Sequence, residues 1–321
     1  MTIKKVLVIN CGIHDKNRQG IARILNYLLK QNKLEYKVGS VDEISNYDII
    51  YCPSYIKINT ALYPSKKFIF GPHFSTFPDH QQLQSLHNDK YNKKNNNIIY
   101  IQPSEWAAQT WKNMGAEQFL TVKIFPFPVD TDRFKPLASG ADTSGADTSG
   151  ADTSGADTSG AEKTNVLIYY KHRSPEELNS LKEFLTKKNI TNYRVFNYKQ
   201  RYNEADYLTY LQQCKYGIIL DAHESQGFAI EEALSCNVPL LVWNAKTMNQ
   251  EYTSHYQPIP CTSISYWSEK CGEYFYHHNE LSNAFKTFQT KLESKQYSPR
   301  QYILDNLSTE VCANTFMTLI S

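Results

Sequence analysis

The sequence predicts an α/β protein in which two open parallel sheets face one another across a cleft. Three observations predict it. Short apolar runs alternate with helical stretches in the amino-terminal half, the same rhythm resumes beyond position 161, and a polar repeat stands between the two. Alternation of strand and helix is what a parallel sheet needs, because each return connection must cross a face of the sheet.

Lys5-Val6-Leu7-Val8-Ile9 is a continuous apolar strand. A polar loop from Asn10 to Gly20 follows, then a helix with Ile21, Ile24, Leu25 and Leu28 on one face. Asp48–Tyr51, Lys67–Gly71 and Ile98–Ile101 give further strands. Ser104, Glu105 and Trp106 read as a helix start, the serine capping and the tryptophan packed in the core. Beyond the repeat come strands at Val166–Tyr170, Tyr193–Phe196, Tyr216–Leu220 and Val238–Trp243. Ser174-Pro175-Glu176-Glu177 is a capping box with proline at the first helical position, and Leu178, Leu181, Phe184 and Leu185 form the buried face. A last helix follows Asn306-Leu307-Ser308, with Val311, Cys312, Phe316, Leu319 and Ile320 on one side.

Four copies of Ala-Asp-Thr-Ser-Gly fill residues 141–160, after Ala138-Ser139-Gly140. No side chain in the unit can form a core, and a glycine every fifth residue loosens the backbone, so a disordered linker is expected over 139–161. It divides the chain into domains at 1–138 and 162–299.

At 321 residues and 41% hydrophobic content, both domains can hold a core. A net charge of +2, without a basic arm, gives no surplus for nucleic acid. No apolar run approaches the roughly 20 residues of a membrane span, and Met1-Thr2-Ile3-Lys4-Lys5 leads directly into a strand. The expectation is therefore a soluble, cytoplasmic protein without signal peptide, although peripheral membrane contact stays open. Seven scattered cysteines fit reduced thiols. There is no His-Glu-x-x-His, no cysteine cluster and no Gly-x-Ser-x-Gly, so no metal site and no cofactor are expected.

Chemistry concentrates in His223-Glu224-Ser225-Gln226-Gly227-Phe228-Ala229-Ile230-Glu231-Glu232-Ala233-Leu234, which lies between two buried strands. In a strand–loop–helix–strand unit, ligands bind at the carboxyl ends of the strands. Gly227 lets a bound group approach the backbone, and the free amides of the following helical turn favour an anion. Glu224 then sits in the loop and Glu232 inside the helix, while Glu231 points about 100° away and is a structural or solvated acid. Lys171 and Arg173 follow the Val166–Tyr170 strand to the same rim, where they reach a diphosphate. Two carboxylates beside a phosphate site point to a sugar nucleotide.

The glutamate, seven residues, glutamate spacing resembles the signature of retaining GT-B glycosyltransferases, particularly family 4 (glycosyl transferases group 1). Tyr216-Gly217-Ile218-Ile219-Leu220 and Cys236-Asn237-Val238-Pro239-Leu240-Leu241-Val242 resemble the donor-site strands of that family. Pro103-Ser104-Glu105-Trp106 and the stretch from Pro126 to Pro136 resemble its domain-joining region. The likeness runs from about Pro103 onward. It implies the GT-B fold, two Rossmann-like domains, with a carboxyl-terminal helix over 300–321 crossing back to the first. It implies Glu232 on the ribose hydroxyls, Glu224 near the donor sugar, and Lys171 and Arg173 at the diphosphate, joined by backbone amides of Gly227 and Phe228. It also implies His73, after Gly71-Pro72, near the reacting sugar, and Gly12 and Gly20 in a loop touching donor or acceptor. The basic pair departs from the family, which more often spaces an arginine and a lysine several residues apart with the arginine first. Asp130-Thr131-Asp132 could suggest a metal-dependent GT-A enzyme, but its flanks resemble the GT-B junction.

The reading that results is a metal-independent enzyme moving a sugar from a UDP- or GDP-type donor to a hydroxyl of a glycan or lipid-linked glycan. Its rivals are a catalytically silent GT-B protein that binds nucleotide sugar or glycan, and a phosphorylase or epimerase on the same scaffold.

Overall fold

The computed structural model describes residues 3–12, 14–53, 58–72, 97–118, 120–137 and 163–321. His73 and the 139–161 linker lie outside them.

Six parallel strands form the first sheet: β1 Lys4–Ile9, β2 Leu34–Gly39, β3 Ile49–Cys52, β4 Lys67–Phe70, β5 Ile98–Gln102 and β6 Thr121–Ile124, in the order β2-β1-β3-β4-β5-β6. Helices α1 (Asp15–Lys30) and α2 (Glu105–Asn113) belong to this half. The apolar run of β1 follows from burial on both faces: Val6 and Val8 enter one core while Leu7 and Ile9 enter the other.

The second sheet has five parallel strands, β7 Asn165–Lys171, β8 Tyr193–Asn197, β9 Cys214–Asp221, β10 Leu240–Trp243 and β11 Gly272–Phe275, in the order β11-β10-β9-β7-β8. Helices α3 (Pro175–Lys187), α4 (Glu204–Gln213), α5 (Phe228–Ser235) and α6 (Leu281–Glu293) accompany it. The capping box opens α3 as expected, with Glu177 N donating to Ser174 Oγ at 3.2 Å and Ser174 N to Glu177 Oε2 at 3.0 Å.

The chain passes between the two cores twice. Phe125 and Phe127 are buried in the first, and Val129 and Phe134, a few residues on, in the second. Gln226 clasps the backbone of Phe127 from the other side, accepting from its N–H at 3.0 Å and donating to its carbonyl at 2.6 Å. The return runs through α7 (Pro299–Leu307), whose Ile303 and Leu307 belong to the second core. Ser308 then caps α8 (Thr309–Ile320), and Cys312, Ala313, Phe316 and Ile320 pack into the first core against α1.

Helix α1 begins at Asp15, not after Gly20 as the polar stretch suggested. Asp15 complements the helix N-terminus, and the polar residues of the first turns stay out of the core, which the helix enters only from Gly20 on. Gly20 is consequently a packing residue, because a Cβ there would lie 2.8 Å from Phe127 Cβ. Strands β2, β6 and β11 were not expected, and all three are sheet edges, where only part of each strand is covered. Ser104 precedes α2 without a side-chain capping bond, and Trp106 is not a core residue: its indole reaches the other domain. Among the described residues no helix is long and apolar enough to cross a membrane.

Candidate functional site

The chain leaves β7 for β8 on one side and later returns to β9 on the other, so a crevice opens at the carboxyl ends of β7 and β9. Lys171 ends β7 and Asp221 ends β9, and the two are direct partners in the ladder. Glu224 lies in the loop just beyond, and Lys171 Nζ donates to its Oε1 at 2.6 Å. Both side chains are largely enclosed, at 15% and 14% exposure. Burial alone would raise the Glu224 pKa, yet the Lys171 ammonium and a hydrogen bond with Asp221 hold it below the usual carboxylate value. Burial likewise opposes the Lys171 charge, and Glu224 and Asp221 outweigh it and keep the ammonium.

Gly227 caps α5 at φ +99°, a conformation that β-carbon-bearing residues rarely adopt, and so turns the chain directly from the Glu224 loop into the helix. From α5, Phe228 and Glu232 line a cleft of about 730 Å3 together with Lys171 and Glu224. Glu231 faces away from it. It is 1% exposed, takes a hydrogen bond from Gln226 Nε2 at 3.1 Å, and is pushed well above the usual range by burial, which makes it a structural, neutral acid.

The first domain closes the opposite wall with His14 and Lys16. The His14 ring lies parallel to that of Phe228 with centroids 6.4 Å apart, and burial lowers its pKa. Lys16 Nζ ion-pairs with both Glu232 and Glu204 of α4, and Arg133 pairs with Glu204 as well. Burial pushes Glu232 up to about 7 in spite of Lys16. Tyr198 and Tyr202 complete the polar wall, with Lys171 Nζ 4.7 Å from the Tyr198 ring centre. Trp106 Nε1 donates to the Glu224 carbonyl and to Ser265 Oγ, both at 3.0 Å, which ties the first domain to the Glu224 loop.

Lys171, Glu224, Phe228 and Glu232 are therefore brought together, with Gly227 at the helix start beside them. Arg173 is not, and this corrects its expected place at the rim. His172 takes a left-handed backbone conformation at φ 55° and Arg173 turns inward, 2% exposed. Its guanidinium pairs with Glu177, donates to the carbonyls of Asp221 and Trp243 at 3.2 Å each, and packs over the Trp243 ring. Gly12 and Gly20 do not line the cleft. Asp130 of the Asp-x-Asp pair bonds Arg133 N at 3.1 Å and faces Arg23 at 3.8 Å, so it serves the crossing between domains. His14, Lys16, Tyr198, Tyr202 and Glu204 escaped the sequence reading. The usable signal for the first two was the position of their loop after β1, where the first sheet's own strand order switches. Among the described residues no three His, Cys, Asp or Glu side chains converge as a metal site.

No family model matches the chain, and no curated protein does. Solved structures do. Sucrose-phosphate synthase from Thermosynechococcus elongatus superposes with a TM-score of 0.57 at 9% identity, covering 98% of each chain. The N-terminal domain of Candida albicans trehalose-6-phosphate phosphatase gives 0.58 at 9% identity over 100% of this chain and 97% of that one. The catalytic domain of starch synthase IV from Arabidopsis thaliana, bound to ADP and acarbose, gives 0.50 at 11% identity, covering 97% and 78%. With two parallel-sheet α/β domains on either side of one cleft, the chain has the GT-B fold.

Proposed function

We propose that the chain is a retaining glycosyltransferase of the family 4 type, which moves a sugar from a nucleoside diphosphate to a hydroxyl acceptor. The observation that carries this reading is the ionised, lysine-paired Glu224 on the same cleft wall as Glu232, with the α5 N-terminus beside them. Charge on the departing diphosphate is the main electrostatic problem of such a transfer. Lys171 and the first-turn amides of α5, from Phe228 on, face the place where that charge develops. Glu232 would take two ribose hydroxyls, because a carboxylate accepts two hydrogen bonds at once. Glu224 would hold the donor sugar, and a tyrosine-lined wall suits a base or sugar face. A glycan or lipid-linked glycan on the cytoplasmic side is the proposed acceptor class.

The test is slow hydrolysis and transfer across UDP-, GDP- and ADP-sugars with a chelator present. One donor should be consumed with its rate unchanged by the chelator, since Lys171 and the helix supply the positive charge that a divalent ion otherwise gives. Activity that is lost completely and restored by metal, or no donor consumed at all, would remove the reading.

A further inference from the structure

Asp221 closes β9 with a side chain that is 0% exposed. Neither of its oxygens takes a well-formed hydrogen bond: the nearest amide, Ala222 N–H, donates to the Lys171 carbonyl at 3.2 Å and is the weakest of the influences on the Asp221 charge. Its carboxyl group lies close to the carboxylate of Glu224, to which Lys171, the ladder partner of Asp221, donates at 2.6 Å. Two carboxylates in contact cannot both ionise cheaply, and one proton between them resolves the conflict. The charges around the pair fix which keeps it. The Lys171 ammonium donates to Glu224 at 2.6 Å, so the negative charge belongs on Glu224. Arg173 and Ser263 spend their donors on the Asp221 main-chain carbonyl, at 3.2 and 2.8 Å, and leave its side chain alone.

We infer that Asp221 is a neutral carboxylic acid and a positioning residue for Glu224, its O–H donating to the Glu224 carboxylate alongside the Lys171 ammonium. Burial first, then the neighbouring Glu224, drive its pKa well above the usual range, while Glu224 moves the opposite way. The other groups that face it do not undo this. Tyr169, from β7, keeps its proton through burial, and so does Cys261, from the segment behind β10, which is pushed up to about 12. Lys171 favours ionising Asp221, but Glu224 claims its ammonium by direct contact, and the nearby Arg173 guanidinium is paired with Glu177. Glu224 is thereby fixed as an oriented anion at the mouth of the cleft. The inference rests on the proposed function only for what Glu224 then does to a donor sugar.

The test begins without any substrate. Infrared difference spectra of the full-length protein, wild type minus Asp221→Asn, should show at neutral pH a protonated-carboxyl C=O band that shifts in deuterated buffer. Absence of that band overturns the assignment. Rates of nucleotide-sugar hydrolysis against pH give the second readout. Wild type should lose rate on the alkaline side as the shared proton leaves, and Asp221→Asn, which keeps a donor that cannot ionise, should lose that limb. Asp221→Leu should lower kcat at least tenfold at every pH with little change in KM, and a wild-type rate there would also overturn the inference. A band present in a protein that turns over no nucleotide sugar would refute the proposed function and leave the Asp221 assignment standing.

Discussion

On the second domain's wall of the cleft, Lys171, Asp221 and Glu224 hold one another through neighbouring strand ends of a single sheet. The first domain's wall reaches the cleft with His14 and Lys16, at the start of one helix, and among the described residues Lys16 finds its ion-pair partners on the other domain. One wall is organised before anything binds. The other is organised by the closeness of the two domains. Charged groups fixed by their own sheet need no rearrangement to meet a developing charge, which is the electrostatic advantage of a preorganised site. Groups that borrow partners across the cleft must give them up, or share them, when a ligand enters.

The largest effect expected from this contrast is at Lys171. Lys171→Ala leaves the enclosed Glu224 without its cation, and breaking a buried pair by removing one partner costs about 3 kcal/mol or more. Urea unfolding should show that loss, and calorimetry should show weaker binding of a nucleoside diphosphate. If both quantities stay at wild-type values, the second wall is not built around this pair.

Next comes the difference between adjacent glutamates. Glu232→Ala removes a carboxylate that lines the cleft and should weaken nucleoside diphosphate binding by about 1.5–3 kcal/mol. Glu231→Ala removes an acid buried away from the cleft, so it should lower the unfolding midpoint and leave the affinity alone. Equal affinities in a calorimetric titration would show that Glu232 does not hold the ligand.

The same contrast explains what the sequence disclosed. Buried strands such as β1, β7 and β9 announce themselves as apolar runs, because both faces of each are covered. The loop and helix from Glu224 to Glu232 could be placed from two glutamates and a glycine between such strands. Arg173 could not be placed, because its direction depends on a left-handed residue before it and on Glu177 one turn along α3. Lys16 was equally hidden: its partners are about two hundred residues away in the chain, and no local pattern encodes them. Asp221 directly follows the apolar run Tyr216–Leu220 and carries no motif of its own, and its closeness to Glu224 is what gives it chemical meaning.

A smaller effect separates the walls by pH. Glu232 has a folded pKa of about 7 against an ordinary 4.5, so the unfolded chain releases this proton first. Its contribution to stability is fully present below pH 4.5 and is lost as the pH rises through 7. Asp221 and Glu231 change in the same direction, so the informative measurement is wild type beside Glu232→Gln. The variant should show a shallower decline in unfolding free energy across that window, by at most about 3 kcal/mol. Lys16→Met should steepen it, because the cation that favours the Glu232 charge is gone. Parallel curves for all three proteins would mean that Glu232 ionises normally and that the link across the cleft is weaker than its geometry implies.

The smallest effect expected is from removing residues 141–160, which stand between the segment leaving the first core and the strand opening the second sheet. The four repeats contain no apolar side chain larger than alanine, so no contribution to either core is expected of them. The joining segment already has its own anchors before the repeat begins, since Phe134 is buried in the second core and its carbonyl accepts from Ser235 Oγ at 2.5 Å and from Arg300 at 3.1 Å. Shortening a connection of this composition changes closure entropy by only about 0.6 kcal/mol per halving. With Ser139-Gly140 and Ala161-Glu162 retained, the melting temperature should move by no more than a few degrees and the steady-state rate by less than twofold. A tenfold loss of rate at unchanged stability would assign the repeat to the cleft itself, as a third wall beside the two described above.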